Sequence, residues 1–195
     1  GVYGHREQRP RTQAGEKKEK MKRIIIIGYM GAGKTTVGKA LAKDLGMDFY
    51  DLDWYIENRM HKTVKQLFDE GGEEGFRKIE RNLLHEVAEF ENIVLSCGGG
   101  TPCFGDNIDY MNSQGTTLYL KASPQVLYGH LKMGKTVRPL LLGKTPEEVE
   151  RFIGEHLKAR EPFYEKAQHT LDVNLMDNYE KIKISVAKAK KLLGL

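Results

Sequence analysis

The sequence contains little cysteine and no long apolar segment. Cys97 and Cys103 are the two cysteines among 195 residues, too few for the disulfide framework of small secreted domains. The longest uninterrupted apolar run is Ile24–Ile27, whereas a membrane-spanning helix needs about 20 residues. The N-terminal region lacks the apolar core of a signal peptide. We therefore expect a cytoplasmic protein that does not enter a membrane.

The sequence also lacks paired metal ligands and a positively charged body. Its six histidines are scattered, with no two at the spacing of a metal site. The net charge of +4 comes from residues 1–22, which hold seven basic and three acidic side chains. The other 24 basic and 24 acidic residues balance, which argues against a nucleic-acid-binding surface. Residues 1–22 are polar and aperiodic, and are predicted to be a disordered leader or an expression remnant.

From Arg23 onward, strand signals alternate with helix signals. Arg23–Ile27 has the continuous β-branched character of a strand that is buried on both faces. Further strands are predicted at residues 47–51, 92–96, 116–120 and 170–173. Helices are predicted over residues 35–45, over 64–90 with a break at Gly71-Gly72, after Ser123-Pro124, from Pro146 to Arg160, and from Tyr179 onward. The alternation predicts an α/β fold with a three-layer, doubly wound, five-stranded parallel sheet.

The segment Gly28-Tyr29-Met30-Gly31-Ala32-Gly33-Lys34-Thr35 matches the phosphate-binding motif GxxxxGK[ST] in full. In such a P-loop, glycines let backbone N–H groups turn toward phosphate oxygens, and the following helix adds its positive dipole. Lys34 would reach the β- and γ-phosphates, and the Thr35 hydroxyl would bind Mg²⁺. The motif therefore predicts a nucleoside triphosphate site. The sequence has no Asn-Lys-x-Asp motif, which argues against a GTPase.

Two aspartates close the second predicted strand. Asp51 and Asp53 are two residues apart, and such residues face the same side of an extended chain. Both carboxylates would then point into the cleft above the carboxyl ends of the strands, where doubly wound folds bind ligands. One could hold Mg²⁺ through water, and the other could accept a proton from a substrate hydroxyl. The alternative is a solvated turn that carries two acids.

Three arginines and a glycine triplet are further candidates for the site. Arg77 has Glu80 three residues later on the same predicted helix face. Gly98–Gly100 follow a strand, where glycine lets the backbone approach a ligand closely. Arg138 lies in a segment rich in Lys, Gly and Pro that predicts a mobile loop beside a site, and Arg160 ends a predicted helix. Arginine suits bidentate binding of carboxylate or phosphate, although each of these residues alone is more often a surface charge.

Together these motifs resemble the shikimate kinase family over nearly all of residues 23–195. The blocks occur in family order: the P-loop, Asp51-Leu52-Asp53, Gly75-Phe76-Arg77-x-x-Glu80, Gly98–Gly100, Arg138-Pro139-Leu140-Leu141, and Arg160 with Tyr164. The P-loop alone specifies only a nucleotide binder, whereas the combination is specific. The resemblance implies the P-loop fold of the nucleoside monophosphate kinases, with a substrate-binding helical segment near residues 53–80 and a lid near residues 132–147.

The resemblance also implies a reaction and its participants. The enzyme would transfer the γ-phosphate of ATP to the 3-hydroxyl of shikimate, a step toward chorismate and the aromatic amino acids, with one Mg²⁺ ion. Lys34, Asp53 and Arg138 would be the catalytic residues. ATP would be bound by Gly31, Ala32, Gly33, Lys34, Thr35, Thr36 and Arg138; shikimate by Asp53, Arg77, Gly99, Gly100 and Arg160; and Mg²⁺ by Thr35 and, through water, Asp51.

Two other functions stay open on the residues alone. A kinase for gluconate or another small polyol would use the same arginines for a carboxylate. A regulatory ATP-binding module without catalysis would keep the P-loop, although the intact Lys34, Thr35, Asp53 and Arg138 argue against it. Nothing in the neutral body requires a dimer. We therefore expect a monomer that binds ATP and shikimate but no nucleic acid.

Overall fold

One parallel sheet of five strands organises the chain. The structure is a computed structural model that describes residues 23–134 and 142–195. Its strands follow the order β2-β3-β1-β4-β5 across the sheet, and each neighbouring pair is parallel. The strands are β1 (Arg23–Ile27), β2 (Asp48–Asp51), β3 (Ile93–Ser96), β4 (Thr116–Lys121) and β5 (His169–Asp172). The five predicted strands are confirmed, with ends that differ by at most one residue.

Helices cover both faces of the sheet. Successive residues of a strand point to opposite faces, and each residue of Ile24–Ile27 in the central strand is fully buried. The predicted doubly wound architecture is therefore confirmed. The helices in the described residues are α1 (Lys34–Leu45), α2 (Leu52–Met60), α3 (Val64–Val87), α4 (Asn107–Gln114), α5 (Pro124–Met133), α6 (Pro146–Tyr164) and α7 (Tyr179–Leu193), with a 3₁₀ helix at Thr101–Cys103.

The register of the sheet brings three chain segments to one edge, the one formed by the carboxyl ends of the strands. Ile26 of β1 is level with Ser96 of β3, and Ser96 is level with Asp51 of β2. The chain then passes from β3 to β4, on the other side of β1. Doubly wound sheets bind ligands at such a reversal of strand order, outside the carboxyl ends of the strands. The P-loop, the aspartates and the glycine triplet after β3 therefore share this edge.

The long helix predicted over residues 64–90 is α3, which ends at Val87. A capping box begins it: the Gln66 N–H donates to Thr63 Oγ1 (3.1 Å), and the Thr63 N–H donates to Gln66 Oε1 (2.8 Å). The predicted break is confirmed at Gly72, whose φ of 67° and ψ of −172° are not helical. The half of α3 that carries Arg77 therefore starts after a kink.

The prediction that Arg160 ends a helix is wrong. Helix α6 continues to Tyr164 and includes Pro162. Proline costs an interior helix one hydrogen bond, but its φ suits a helix. The buried Tyr164 ring packs beside that of Tyr119, with centroids 5.1 Å apart, and its hydroxyl donates to the Gly99 carbonyl. These tertiary contacts hold the last turn in helical form.

Local sequence signals did not predict helices α2 and α4 individually, although the family resemblance implied a helical segment near residues 53–80, which includes most of α2. Both are short, and asparagine, aspartate and aromatic residues of modest helix propensity make up much of them. They are stabilised instead by burial of one side each, through Leu52 and Ile56 in α2 and through Ile108 and Met111 in α4. Such stabilisation depends on the rest of the fold.

Within residues 23–134 and 142–195, no helix combines the length and the apolar character needed to cross a membrane. The predicted leader, residues 1–22, lies outside the described residues. So does the middle of the predicted lid, residues 135–141, which includes Arg138.

Gly115 joins α4 to β4 where the chain passes the start of β1. A Cβ atom at this position would lie 2.5 Å from the carbonyl oxygen of Arg23 and 2.7 Å from its Cβ. Because Arg23 is held in the sheet, we expect Gly115→Ala to lower the free energy of unfolding by about 1–3 kcal/mol. Urea unfolding followed by circular dichroism measures this change.

Gly154→Ala in α6 is the matched control. The nearest heavy atom to a Cβ there is Cγ of Pro124, at 3.8 Å. Alanine should therefore leave the free energy of unfolding unchanged or raise it by up to about 1 kcal/mol through helix propensity. Equal effects of the two substitutions would contradict the close packing at Gly115.

Candidate active site

The P-loop surrounds the side chain of Lys34 with its own backbone. Gly33 precedes α1 in the left-handed conformation, with φ 93°, and this turn starts the helix at Lys34. The Lys34 ammonium donates to the carbonyl oxygens of Gly28 (2.7 Å) and Tyr29 (3.0 Å). The cation is thus already positioned at the end of the central strand, where a polyphosphate would meet it.

Lys34 and Asp53 face each other across the cleft and have perturbed acidities. Burial lowers the pKa of Lys34 to about 8, although the nearby Asp53 carboxylate opposes this shift. Burial, together with the neighbouring Asp51 and Glu80 carboxylates, raises the pKa of Asp53 to about 6. Groups with pKa values moved toward neutrality by burial and by charged neighbours are candidates for proton transfer.

Both aspartates line the cleft, but not for the predicted reason. Asp51 ends β2 and caps α2: its Oδ1 accepts from the Trp54 N–H at 3.0 Å. Asp53 therefore lies in the first turn of α2 rather than on an extended chain. The other carboxylate oxygen of Asp51, Oδ2, accepts from Thr35 Oγ1 at 3.3 Å. Asp51 belongs to the P-loop side of the cleft, and Asp53 faces the turn after β3.

The glycine triplet Gly98–Gly100 packs against three charged side chains in turn. A Cβ at Gly98 would lie 3.4 Å from Asp53 Oδ1, and one at Gly99 would lie 2.9 Å from Arg160 Nη1. A Cβ at Gly100 would overlap the guanidinium of Arg77. The absence of a Cβ at Gly99 and Gly100 leaves room for the two guanidinium groups. The turn therefore gathers one carboxylate and two guanidinium groups, those of Asp53, Arg77 and Arg160.

Arg77 is fixed by a buried carboxylate. Its Nη1 donates to Glu80 Oε1 at 2.9 Å, and Glu80 Oε2 accepts from Thr101 Oγ1 at 2.9 Å. Glu80 is 1% exposed, so this ion pair is largely shielded from water. The Phe104 ring lies 4.0 Å from the guanidinium carbon. The Nε of Arg77 is buried, lies 3.9 Å from Glu73 Oε1 and makes no hydrogen bond within the described residues.

Arg160 reaches the same turn from α6. Its guanidinium carbon lies 5.7 Å from the centroid of the Tyr29 ring in the P-loop. Tyr164, one turn later on the helix, donates from its hydroxyl to the Gly99 carbonyl oxygen at 2.5 Å. The last turns of α6 thus hold both Arg160 and the glycine turn against the P-loop.

A cleft of about 440 Å³ opens at this edge. Among the predicted site residues its lining includes Gly31, Gly33, Lys34, Thr35, Thr36, Asp51, Asp53 and Gly99. Ala32 is buried beneath the P-loop, and Arg77, Gly100 and Arg160 adjoin the cleft through the glycine turn. Of the predicted site residues, Arg138 alone lies outside the described part of the chain.

The cleft lining also includes His130 of α5 and Met176 in the loop after β5, which the sequence motifs did not identify. No local signal marks them, because their place in the cleft depends on how α5 and the end of the sheet pack. Cys97, directly before the glycine triplet, also lines the cleft. Burial raises the pKa of its thiol well above the ordinary value. It is therefore a poor nucleophile at neutral pH.

Thr35 and Asp51 fit a magnesium ion. They place a hydroxyl and a carboxylate oxygen 3.3 Å apart beside the P-loop. Mg²⁺ takes oxygen ligands, and it is usually held by one or two carboxylates, retained waters and substrate phosphates. The donor set on this side of the cleft matches that preference.

Comparison with known proteins identifies the family of the chain. Residues 30–189 match the family model described as Shikimate kinase. The chain belongs to the shikimate kinase family. Among the curated members of the family, the shikimate kinase of Phocaeicola vulgatus is 54% identical over 174 residues, which is 89% of this chain and 99% of that protein.

Solved structures of the family share this fold. The shikimate kinase of Bacteroides thetaiotaomicron has a TM-score of 0.84 and 52% identity, and the match covers 89% of this chain and 98% of that one. The shikimate kinase of Acinetobacter baumannii, solved in complex with shikimate, has a TM-score of 0.76 and 32% identity, with 92% and 97% of the two chains covered. The predicted fold of the family is therefore confirmed.

The raised pKa of Asp53 predicts a pH-dependent stability change. Because the folded state binds this proton more tightly than the unfolded state, ionisation of Asp53 destabilises the fold as the pH rises through about 6. Asp53→Asn removes this cost. We expect the variant to be more stable than the wild type at pH 7.5 by roughly 1–3 kcal/mol, and the gain to shrink at pH 4.5.

Urea unfolding at the two pH values measures this difference, with Asp48→Asn as the control. Asp48 is exposed at the start of β2, so its substitution should change stability little at either pH. A stability gain for Asp53→Asn that does not depend on pH would contradict the assigned acidity of Asp53.

Proposed function

We propose that the chain catalyses transfer of the γ-phosphate of ATP to the 3-hydroxyl of shikimate, giving shikimate 3-phosphate on the route to chorismate and the aromatic amino acids. The proposal rests on the glycine turn, Gly98–Gly100, that follows β3. It gathers Asp53, Arg77 and Arg160 beside the P-loop lysine. Membership of the shikimate kinase family, and a relative solved in complex with shikimate, support it.

The acceptor side of the cleft, where Asp53, Arg77 and Arg160 meet at the glycine turn, matches the chemistry of shikimate. Shikimate carries one carboxylate and several hydroxyl groups. Arg77 and Arg160 would bind the carboxylate, because a guanidinium donates two parallel hydrogen bonds to such a group. The Nε of Arg77, which makes no hydrogen bond within the described residues, would supply one of these donors. Asp53 would accept from the hydroxyls, and Gly99 and Gly100 would supply backbone contacts beside the two guanidinium groups.

The donor side would hold the triphosphate. Backbone N–H groups of Gly31, Ala32 and Gly33, with the start of α1, would face the phosphate oxygens. Lys34 would exchange its present carbonyl partners for the β- and γ-phosphates. Thr35 and Thr36 would complete this side, and Arg138 would reach the phosphates from the lid. Thr35, and Asp51 through water, would hold Mg²⁺, which neutralises charge on the phosphates.

Phosphoryl transfer depends mainly on positioning and on stabilisation of charge. With a pKa of about 6, Asp53 is ionised at neutral pH and can accept the proton of the attacking hydroxyl. Lys34, across the cleft, would stabilise negative charge on the transferred group. A lid near residues 132–147 would exclude water, the competing acceptor. A monomeric state and a cytoplasmic location stay predictions.

An ADP-release assay with separate acceptors tests the proposal. We expect turnover with Mg-ATP and shikimate, and little turnover with gluconate, because the spacing of Asp53, Arg77 and Arg160 matches the family. Turnover with gluconate but none with shikimate would overturn the proposed substrate. ATP binding without turnover on either acceptor would indicate a regulatory module.

Asp53→Asn should abolish turnover and leave ATP affinity nearly unchanged. Asparagine keeps the size of the side chain but cannot accept the hydroxyl proton, so we expect kcat to fall by a factor of about 10²–10⁴. Isothermal titration with a non-hydrolysable ATP analogue measures the affinity. Asp48→Asn is the control and should retain wild-type turnover. Full activity of Asp53→Asn would remove Asp53 from the mechanism.

A further inference from the structure

His130 joins two loops that line the phosphate end of the cleft. It lies in the last turn of α5, and its ring makes hydrogen bonds on both sides. Nδ1 is 2.6 Å from the carbonyl oxygen of Gly31 in the P-loop. Nε2 is 2.8 Å from the backbone nitrogen of Met176, in the loop after β5. The His130 side chain therefore connects α5, the P-loop and the loop after β5 at the end of the cleft where ATP would bind.

The partners of the ring specify one tautomer. The Met176 N–H can only donate, so Nε2 must accept and carry no proton. The Gly31 carbonyl can only accept, so Nδ1 must carry the proton and donate it. Both bonds are therefore satisfied only by neutral imidazole with its proton on Nδ1, and the two bonds lock the ring orientation.

The connected segments also pack closely at the same place. Gly31 has φ 83°, and a Cβ there would lie 2.9 Å from the Leu127 carbonyl oxygen of α5. The methyl group of Met176 occupies the space that a Cβ of Gly33 would need. His130 thus contacts the P-loop directly at Gly31, and holds the backbone of the residue whose side chain covers Gly33.

We propose that His130 is a positioning residue for the nucleotide: it sets the P-loop and the loop after β5 at the separation that bound ATP or ADP requires. This inference rests on the proposed ATP site. Within the described residues, His130 makes no hydrogen bond to Asp53, Arg77 or Arg160. Its loss should therefore weaken nucleotide binding and spare the acceptor side.

Two conservative variants separate the two bonds. In His130→Asn, the side-chain amide can take the place of Nδ1 and donate to Gly31, but it does not reach Met176. In His130→Gln, the amide oxygen can take the place of Nε2 and accept from Met176, but the bond to Gly31 is lost. His130→Ala removes both bonds. The same substitutions of His169, at the far end of β5, are the matched controls.

The experiment measures KM for ATP, KM for shikimate and kcat, together with the Kd for ADP by isothermal titration. For the loss of one bond we expect KM for ATP and Kd for ADP to rise about 3- to 10-fold, and for His130→Ala about 10-fold or more. KM for shikimate and kcat at saturating ATP should stay within about 3-fold of the wild type, because His130 makes no hydrogen bond to the residues that would bind shikimate. A general loss of structure would instead change all of these parameters together.

A Kd for ADP within 2-fold of the wild type in all three His130 variants would overturn the inference. So would an equal rise in KM for shikimate, or an equal rise in the His169 variants. Because ADP titration needs no acceptor, the inference is tested even if wild-type enzyme does not phosphorylate shikimate. That last result would refute the proposed substrate alone.

Discussion

The partly buried cation of Lys34, at the end of the central strand, is the constraint on which the rest of the site depends. A charged group that leaves water must be compensated by hydrogen bonds or by opposite charge. Here the carbonyl oxygens of Gly28 and Tyr29 accept from the ammonium, and Asp53 supplies the nearby negative charge. The loop therefore holds a cation ready for a polyphosphate. Burial raises the pKa of the nearby Asp53 to about 6, and the Lys34 cation limits this rise.

The acceptor side is built on a second compensated charge. Glu80 is almost completely buried, and its two oxygens are used by Arg77 and Thr101. Thr101 begins the 3₁₀ helix that directly follows the glycine turn. The same carboxylate thus orients the guanidinium and ties it to the backbone against which Arg160 also packs. Such preorganised donors lose little freedom when a ligand binds, which favours recognition of a carboxylate.

The sequence predicts well what depends on local chemistry. Four successive isoleucines identify β1, and the glycine spacing identifies the P-loop, because short-range sterics decide both. The cleft position of Asp53 was predicted correctly from a wrong premise, since Asp51 caps a helix there and ends the strand. The extension of α6 to Tyr164 and the place of His130 depend on partners distant in the chain: Gly99 is 65 residues from Tyr164, and Met176 is 46 residues from His130. No local pattern contains that information.

A crystal structure of the chain with ADP and shikimate bound tests the account most directly. We expect the shikimate carboxylate within hydrogen-bond distance of Arg77 and Arg160, with Nε of Arg77 among the donors. A hydroxyl of shikimate should lie on Asp53, and the ADP phosphates should replace the carbonyl oxygens around the Lys34 ammonium. Shikimate bound with its carboxylate away from both arginines would contradict the account.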